Sequence, residues 1–458
     1  MKILLQLHVT SIVAIGILLN VAHANFYTLD QAIIQAQKHD PWLMASVQRQ
    51  RSLEARSIAA GTLPDPTVNA ALTNLPVDSF DFNQENMTQF KLGISQLFPR
   101  GETRLLEQQR IERLSQIQPY AREDRKAQVA MTVAHVWLEV YRNKKTISLI
   151  EKDRRLFEHL VDVAQSNYAT AIGRTRQQDL IRAQLELTRL DDRLMRLSQQ
   201  RDIHLAKLGE WLNDLSISFL TDFPLVKEGN QHFIQLLAPQ LVGEMAVKDS
   251  PAKQDELLAV LVQHPKIKGI DWRIQAFDAG VALAKQSYKP QWGVNASYGY
   301  RDQTPVGDDR PDFFSIGMML DIPLFTVNRQ DKTVQSAQAE FAAVKTERLL
   351  ALRQLKSGYE SAEAMYSRLV ERKRLFDSRL LKKMDQQAQA SLAAYTNDDG
   401  DFAEAVRARI ATLNARIDAL DIDVDRQKSI AQLNYFQAGV VNTPENLTSP
   451  HLDRVQQQ

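Results

Sequence analysis

The densest group of carboxylates in the chain is the segment Asp398-Asp399-Gly400-Asp401. Aspartate and glycine are ordinary turn residues, so one interpretation is a polar turn between two helices. The other is functional, because a ring of carboxylates repeated around a symmetry axis attracts cations and repels anions at a constriction. Asp398, Asp399 and Asp401 are therefore candidate residues of a cation-attracting ring at a constriction, and both interpretations stay open.

The remaining chemistry-bearing residues are scattered. His39 and His264 lie beside proline regions, and His135 and His159 lie alone on predicted helices without a second ligand at helical spacing. The ten methionines are dispersed, and the absence of cysteine excludes disulfides, thiolate metal sites and cysteine nucleophiles. No phosphate-binding loop or glycine-rich dinucleotide turn is found. We predict no catalytic, cofactor-binding or metal-binding residue, and a protein that is not an enzyme.

Long helices position the acidic segment. Helical patterning predicts helices over about 101–215 and 329–436, interrupted by the acidic segment and by Tyr168-Ala-Thr-Ala-Ile-Gly173-Arg-Thr-Arg176. At about 1.5 Å per residue, the arm from Arg174 to Trp211 would extend for roughly 55 Å. Helices this long favour a coiled coil or a helical tube. Gly173, Arg174 and Arg176 become candidate residues of a hairpin tip that contacts a partner or pairs with the acids across subunits.

One structural unit occurs twice, 224 positions apart. In each copy a helix leads into a proline, two alternating segments and a long helical region. Shared order and constant spacing predict an internal duplication. The first copy contains Pro41, Arg49, Ala55, Ala60, Pro66, Phe90, Gly93 and Pro99, which recur as Pro265, Arg273, Ala279, Ala284, Pro290, Phe314, Gly317 and Pro323.

Each copy contains a predicted strand hairpin, over 67–98 and 291–322. Apolar residues such as Phe90, Leu92 and Ile94 alternate with polar ones, and each segment has about the length that a tilted strand needs to cross a bilayer. This pattern is typical of an outer-membrane barrel. The alternative is a pair of hairpins packed on the helices of a soluble domain, since half-buried strands also alternate.

Four strands do not close a barrel. Open strand edges cannot face lipid, and single-chain barrels begin at eight strands. If the strands enter a membrane, other copies of the chain must complete the barrel in a symmetric ring of two or three subunits.

Composition and punctuation give the domain boundaries. Residues 1–24 are predicted to be a signal peptide cleaved after Ala24, with an N-terminal anchor as the alternative. The remaining chain carries 55 basic and 55 acidic residues, which argues against nucleic acid as a partner. We expect repeat 1 at 25–215, a linker at 216–254, repeat 2 at 255–438 and a polar tail at 439–458.

The order of these elements resembles the TolC family of outer-membrane efflux proteins. The similarity covers about Leu29 to Phe436, and the residues that carry it are Pro66-Thr-Val-Asn, Leu97-Phe98-Pro99-Arg100-Gly101, Lys289-Pro290-Gln291-Trp292 and Asp321-Ile322-Pro323-Leu324-Phe325. The resemblance implies a mainly α-helical homotrimer. Its chains would contribute four strands each to a shared 12-stranded barrel above a long helical periplasmic tunnel with a mixed equatorial region.

The same resemblance implies a passive channel in the outer membrane. Its partners would be a periplasmic adaptor and an inner-membrane RND transporter. Residues 74–82 with 96–101 are most similar to the heavy-metal (CzcC- and CusC-like) branch, whose pumps export copper, silver, cobalt, zinc or cadmium. A drug-efflux or type I secretion channel, or a periplasmic helical scaffold, remains an alternative.

Overall fold

The computed structural model describes residues 28–169, 177–212, 252–397 and 401–439. These residues form long helices and one small antiparallel sheet. The helices are α1 Leu29–Lys38, α2 Pro41–Ala60, α3 Thr103–Ser115, α4 Ile117–Ala169, α5 Gln177–Leu212, α6 Ala252–Val262, α7 Pro265–Lys285, α8 Gln330–Leu375, α9 Leu381–Thr396 and α10 Phe402–Phe436. The strands are β1 Thr67–Thr73, β2 Gln89–Phe98, β3 Gln291–Tyr300 and β4 Phe313–Asp321.

Two long antiparallel helical hairpins form the body of the molecule. In the first, Val133 and Val140 of α4 share a core with Leu205 and Leu208 of α5, while Phe157 packs with residues nearer the start of α5. In the second, α8 and α9 run against α10. The two hairpins pack on each other, since Ile150 and Phe157 lie in one cluster with Val406 and Leu413 of α10.

The two hairpins of strands, one from each repeat, join in a single sheet of order β1-β2-β3-β4. β2 pairs with β3 antiparallel from Phe90↔Tyr300 to Phe98↔Trp292, so strands that lie about 200 positions apart in sequence are neighbours. All four strands lie within the predicted hairpins, 67–98 and 291–322.

The helices that precede the two strand hairpins, α2 and α7, begin in the same way. Pro41 and Pro265 are each the first residue of a helix, where the missing proline N–H costs nothing. The capping residue differs: Asp40 accepts from the Trp42 amide at 2.9 Å, whereas His264 accepts from the Lys266 amide through Nδ1 at 3.2 Å. Asp40 and His264 thus hold the same capping position, one with a carboxylate and the other with an imidazole.

A short π-helix interrupts the second long helical stretch at Phe376–Leu380, between α8 and α9. The sequence predicts one continuous helix over 329–394, because no glycine or proline marks this point. An extra residue in a helical turn leaves no signal in the amino-acid composition. The residue types around Phe376 are those of an ordinary helix.

The sheet repeats one cross-strand arrangement in both copies. Asn69 lies opposite Gly93, and Asn295 lies opposite Gly317. In each pair the amide side chain covers the glycine, and a Cβ on Gly317 would lie only 2.6 Å from Oδ1 of Asn295. Glycine recurs at the two matched positions because a neighbouring asparagine occupies the space of its side chain.

This arrangement gives a first prediction. Gly317→Val forces Asn295 from its place, so the free energy of unfolding in detergent should fall by about 1–3 kcal/mol, the usual cost of overpacking. Adding Asn295→Ala to the same chain should restore most of the lost free energy of unfolding. Ser315→Val, on the same strand and face, is the matched control and should change stability less. If Asn295→Ala brings no recovery, the steric explanation of the glycine is wrong.

Candidate functional site

One face of the sheet is largely apolar and exposed, and Gln96 is the polar residue within it. Residues that share this face, the apolar face, are paired across the four strands by the register. Ile316 and Met318 are 72% and 73% exposed, although buried side chains of this kind stabilise a soluble protein. The apolar face comprises Val68, Ala70, Leu72, Phe90, Leu92, Ile94, Trp292, Val294, Ala296, Tyr298, Tyr300, Phe314, Ile316, Met318 and Leu320.

This exposure bears on the two interpretations of the hairpins. No helix among the described residues packs on the apolar face, so the alternative in which the hairpins pack on the helices of the same chain is wrong. A contiguous exposed apolar surface marks contact with a membrane or with another protein.

The opposite face, the polar face, carries mostly small and polar residues, and its large apolar side chains are Leu97, Phe313 and Met319. Asn69 and Asn295 cover Gly93 and Gly317 there, and Gln89 covers Gly299 in the same way. Sequence reasoning noted the two recurring glycines without their amide partners. The spacing of the repeat does not reveal these partners, because Asn69 and Asn295 lie 226 positions apart and the two glycines 224.

Aromatic side chains mark both ends of the sheet. Phe98 and Trp292 stack with ring centroids 4.2 Å apart at the end nearer the helices. Tyr300 lies near Phe82 at 6.4 Å at the end nearer the loops. Aromatic residues at both borders of an apolar band are typical of membrane-crossing strands.

The two outer edges of the sheet have no strand partner among the described residues. β1 pairs only with β2, and β4 pairs only with β3. Each edge therefore presents a row of backbone N–H and C=O groups that another strand can pair with.

Arg100 joins three chain segments at the end of the sheet nearer the helices. Its guanidinium donates to the carbonyl of Lys289 at 2.6 Å and pairs with Asp321 at the end of β4. Gly101 follows with φ of +46°, and a Cβ there would meet the side chains of Lys289 and Gln286. Three of the four short segments that carry the family resemblance thus meet at one junction between sheet and helices.

The loops at the other end, 74–88 and 301–312, are fastened to each other by two arginines. Arg310 donates to the carbonyls of Glu85 at 2.8 Å and Asn83 at 2.9 Å, both in the opposite loop. The Arg301 guanidinium donates to the carbonyl of Asn86 in the opposite loop at 3.4 Å and lies 3.9 Å from the centre of the Phe313 ring. The loops form one structured cap on the sheet.

Ion pairs connect the two helical hairpins along their length. Asp153 of α4 is 2% exposed at its side chain and faces Arg409 at 3.4 Å and Arg416 at 3.7 Å. Arg416 also pairs with Asp385 of α9 at 2.8 Å. Both carboxylates therefore have arginine partners, as expected for helices whose faces carry acidic and basic residues together.

The histidines that the sequence singles out have structural surroundings. His264 is fully buried, and its Nε2 faces the Tyr435 carbonyl at 3.1 Å. Burial lowers the pKa of His264, and it raises the pKa of neighbouring Asp124 and of Tyr435. His135 contacts the Lys428 carbonyl at 3.2 Å, and burial lowers its pKa as well.

Within the described residues, no three His, Cys, Asp or Glu side chains are grouped so as to hold a metal ion. No described helix combines the length and hydropathy needed to cross a membrane.

Of the candidate tip residues, the structure describes only Asp401. Gly173, Arg174, Arg176, Asp398 and Asp399 lie outside the described residues. Asp401 is the N-cap of α10, and its carboxylate accepts from the Ala403 amide at 3.2 Å. Beside it, Tyr395 and Phe402 meet edge to face with centroids 5.2 Å apart and close the end of the α9–α10 hairpin.

The capping role of Asp401 is testable apart from its charge. Asp401→Ala removes the cap and should destabilise the first turn of α10 by about 1 kcal/mol. That loss should speed amide hydrogen exchange in peptides covering the start of the helix. Asp401→Asn keeps a capping oxygen and should exchange like the wild type. Equal acceleration in both variants would show that the charge, and not the cap, holds this end.

Comparison with known proteins identifies structures with a similar fold. No protein-family model and no curated protein sequence matches the chain. Solved structures do match. CusC, described as forming a transmembrane channel, has a TM-score of 0.73 at 13% identity, covering 90% of this chain and 92% of its own.

The outer membrane protein VceC of Vibrio cholerae matches with a TM-score of 0.70 at 13% identity, over 90% of this chain and 96% of its own. The CmeC outer membrane channel of Campylobacter jejuni matches with 0.71 at 11% identity, over 90% and 85%. The chain thus has the TolC-like fold of these outer-membrane channel proteins.

Proposed function

We propose that this protein is the outer-membrane channel of a tripartite efflux system. The observation that carries the proposal is the sheet, which has one exposed apolar face, one polar face and two open edges. An exposed apolar face suits the hydrocarbon of a bilayer, and a polar face suits a water-filled lumen. The fold shared with outer-membrane channels supports the same role.

The open edges support a homotrimer. Each unpaired backbone group costs several kcal/mol in hydrocarbon, so β4 of one copy must pair with β1 of the next. This pairing is antiparallel, like the three pairings within the chain. Three copies give a barrel of twelve strands, and the helical hairpins below it would form the periplasmic tunnel.

The partners and the cargo belong to the same proposal. A passive duct needs a pump, which would be an inner-membrane RND transporter joined through a periplasmic adaptor. The tip with Gly173, Arg174 and Arg176 is the proposed adaptor contact. Heavy-metal cations are the proposed cargo, on the resemblance of residues 74–82 and 96–101 to the heavy-metal branch. Drug efflux and protein secretion are the competing cargoes.

Membrane insertion is tested with two neighbouring residues of β4. Lysine on the lipid face of a barrel strand costs about 2–4 kcal/mol near the bilayer midplane, whereas lysine facing the lumen is tolerated. Ile316→Lys should therefore reduce the heat-modifiable oligomer in purified outer membranes, and Ser315→Lys, on the polar face, should not.

The wild-type fractionation decides between a channel and a scaffold. Recovery of wild type in a soluble periplasmic extract would exclude the channel. Equal assembly of Ile316→Lys and Ser315→Lys would contradict the assignment of the two faces.

The gate is tested by conductance. If Asp398, Asp399 and Asp401 form an acidic ring at the periplasmic end, replacing all three with asparagine should lower the preference for cations in planar bilayers. Blocking by divalent cations should weaken in the same channels, because it depends on the carboxylates. Unchanged selectivity and blocking would remove these residues from the gate and leave them as a turn.

A further inference from the structure

The four strands contain only two formally charged residues, Lys91 in β2 and Asp321 at the end of β4. Asp321 is paired with Arg100 at the junction with the helices. Lys91 lies at the opposite end, as the third residue of β2, and is partly exposed. It has no ion-pair partner within the described part of the chain.

The register places Lys91 on the polar face. It lies opposite Ala71 on one side and Gly299 on the other. Its neighbours two positions away, Gln89 and Gly93, belong to the polar face, while Phe90 and Leu92 belong to the apolar face. A charged side chain on this face is turned away from the proposed lipid surface.

We propose that Lys91 determines the charge selectivity of the strand-lined part of the channel, favouring anions over cations. This inference rests on the proposed function, since it needs the barrel closed by three copies. Twelve strands spaced by about 4.8 Å and tilted by about 40° give a backbone radius of about 12 Å. An extended lysine covers roughly half of that radius. Three ammonium groups then lie within about one Debye length, ~8 Å, of the axis.

The small residues around Lys91 make its charge effective. Ala71 and Gly299 beside it offer no carboxylate, and Asn69 and Asn295 farther along the face carry neutral amides. The field at this level of the lumen is therefore set by the ammonium groups alone among the described strand residues.

The loops beyond the strands carry the opposite charge. Segments 74–88 and 301–312 hold seven acidic and two basic residues, a formal charge of −5 per chain. Several of these carboxylates cap local turns, such as Asp81 with the Asn83 amide at 2.9 Å, and Asp312 with the Arg301 amide at 2.9 Å. These charges lie outside the strands in open solvent, where salt screens them. Inside the proposed barrel, a permeating ion passes closer to the three Lys91 ammonium groups than to the carboxylates of the loops.

The consequence for cargo is specific. Free divalent cations would pass the lysine ring against its field, while neutral or anionic cargo, including a metal carried as an anionic complex, would not. Replacing Lys91 should therefore increase the permeability of free Zn²⁺ relative to chloride.

The absence of cysteine in the natural chain permits a direct test. Lys91→Cys is labelled, in planar bilayers, with a cationic trimethylammonium or an anionic sulfonate methanethiosulfonate reagent, and the chloride-to-potassium permeability ratio is measured. The cationic label should restore the wild-type ratio. Relative to the unlabelled Lys91→Cys channel, the anionic label should lower the ratio by roughly three- to tenfold, from three charges at about 8 Å with one Debye length of screening.

Two controls separate charge and face. Lys91→Arg keeps the charge and should keep the ratio, and Lys91→Gln should lower it. Leu92→Cys lies on the apolar face, so aqueous reagents should leave its conductance unchanged. If channels form and the two labels on Lys91→Cys give the same ratio, the proposal for Lys91 is overturned. If the wild type forms no channel at all, the proposed function itself fails.

Discussion

The backbone groups along the outer edges of β1 and β4 are the constraint on which the rest of the structure depends. A soluble protein can leave such an edge to water, but a sheet with an apolar face in lipid cannot. The exposed apolar face and the open edges therefore have one joint solution, in which identical chains pair edge to edge around an axis. The symmetry of the proposed assembly then follows from a hydrogen-bonding requirement of a single chain.

Closure of the sheet into a ring also explains why many side chains on the polar face are small. A sheet that curves towards its polar side crowds the side chains there, so glycine at Gly93, Gly293 and Gly299 makes room, and these residues are buried. Amide side chains such as Asn69 fill the space and keep the surface wettable without adding charge. Against such a neutral background a single lysine has a large effect.

Much of this could be predicted from the sequence, and the limits are physical. Alternation and proline positions located the four strands within two residues, since period-two patterning is a local property. The pairing of β2 with β3 needed the resemblance, because nothing local joins segments so far apart. The π-helix at Phe376–Leu380 and the cap on Ala403 were missed for another reason. Both depend on backbone hydrogen bonding that the residue types do not specify.

The two repeats show which part of the sequence is free to acquire function. Positions that set geometry are kept in both copies, as Pro41 with Pro265 and Gly93 with Gly317 show. Chemistry differs where geometry permits, as with a carboxylate cap in one copy and an imidazole cap in the other. Lys91 has Ser315 at its matched position in β4, so its charge is unique to the first repeat. A residue that the fold does not require, on a face where charge is otherwise absent from the strand interiors, is explained better by permeation than by stability.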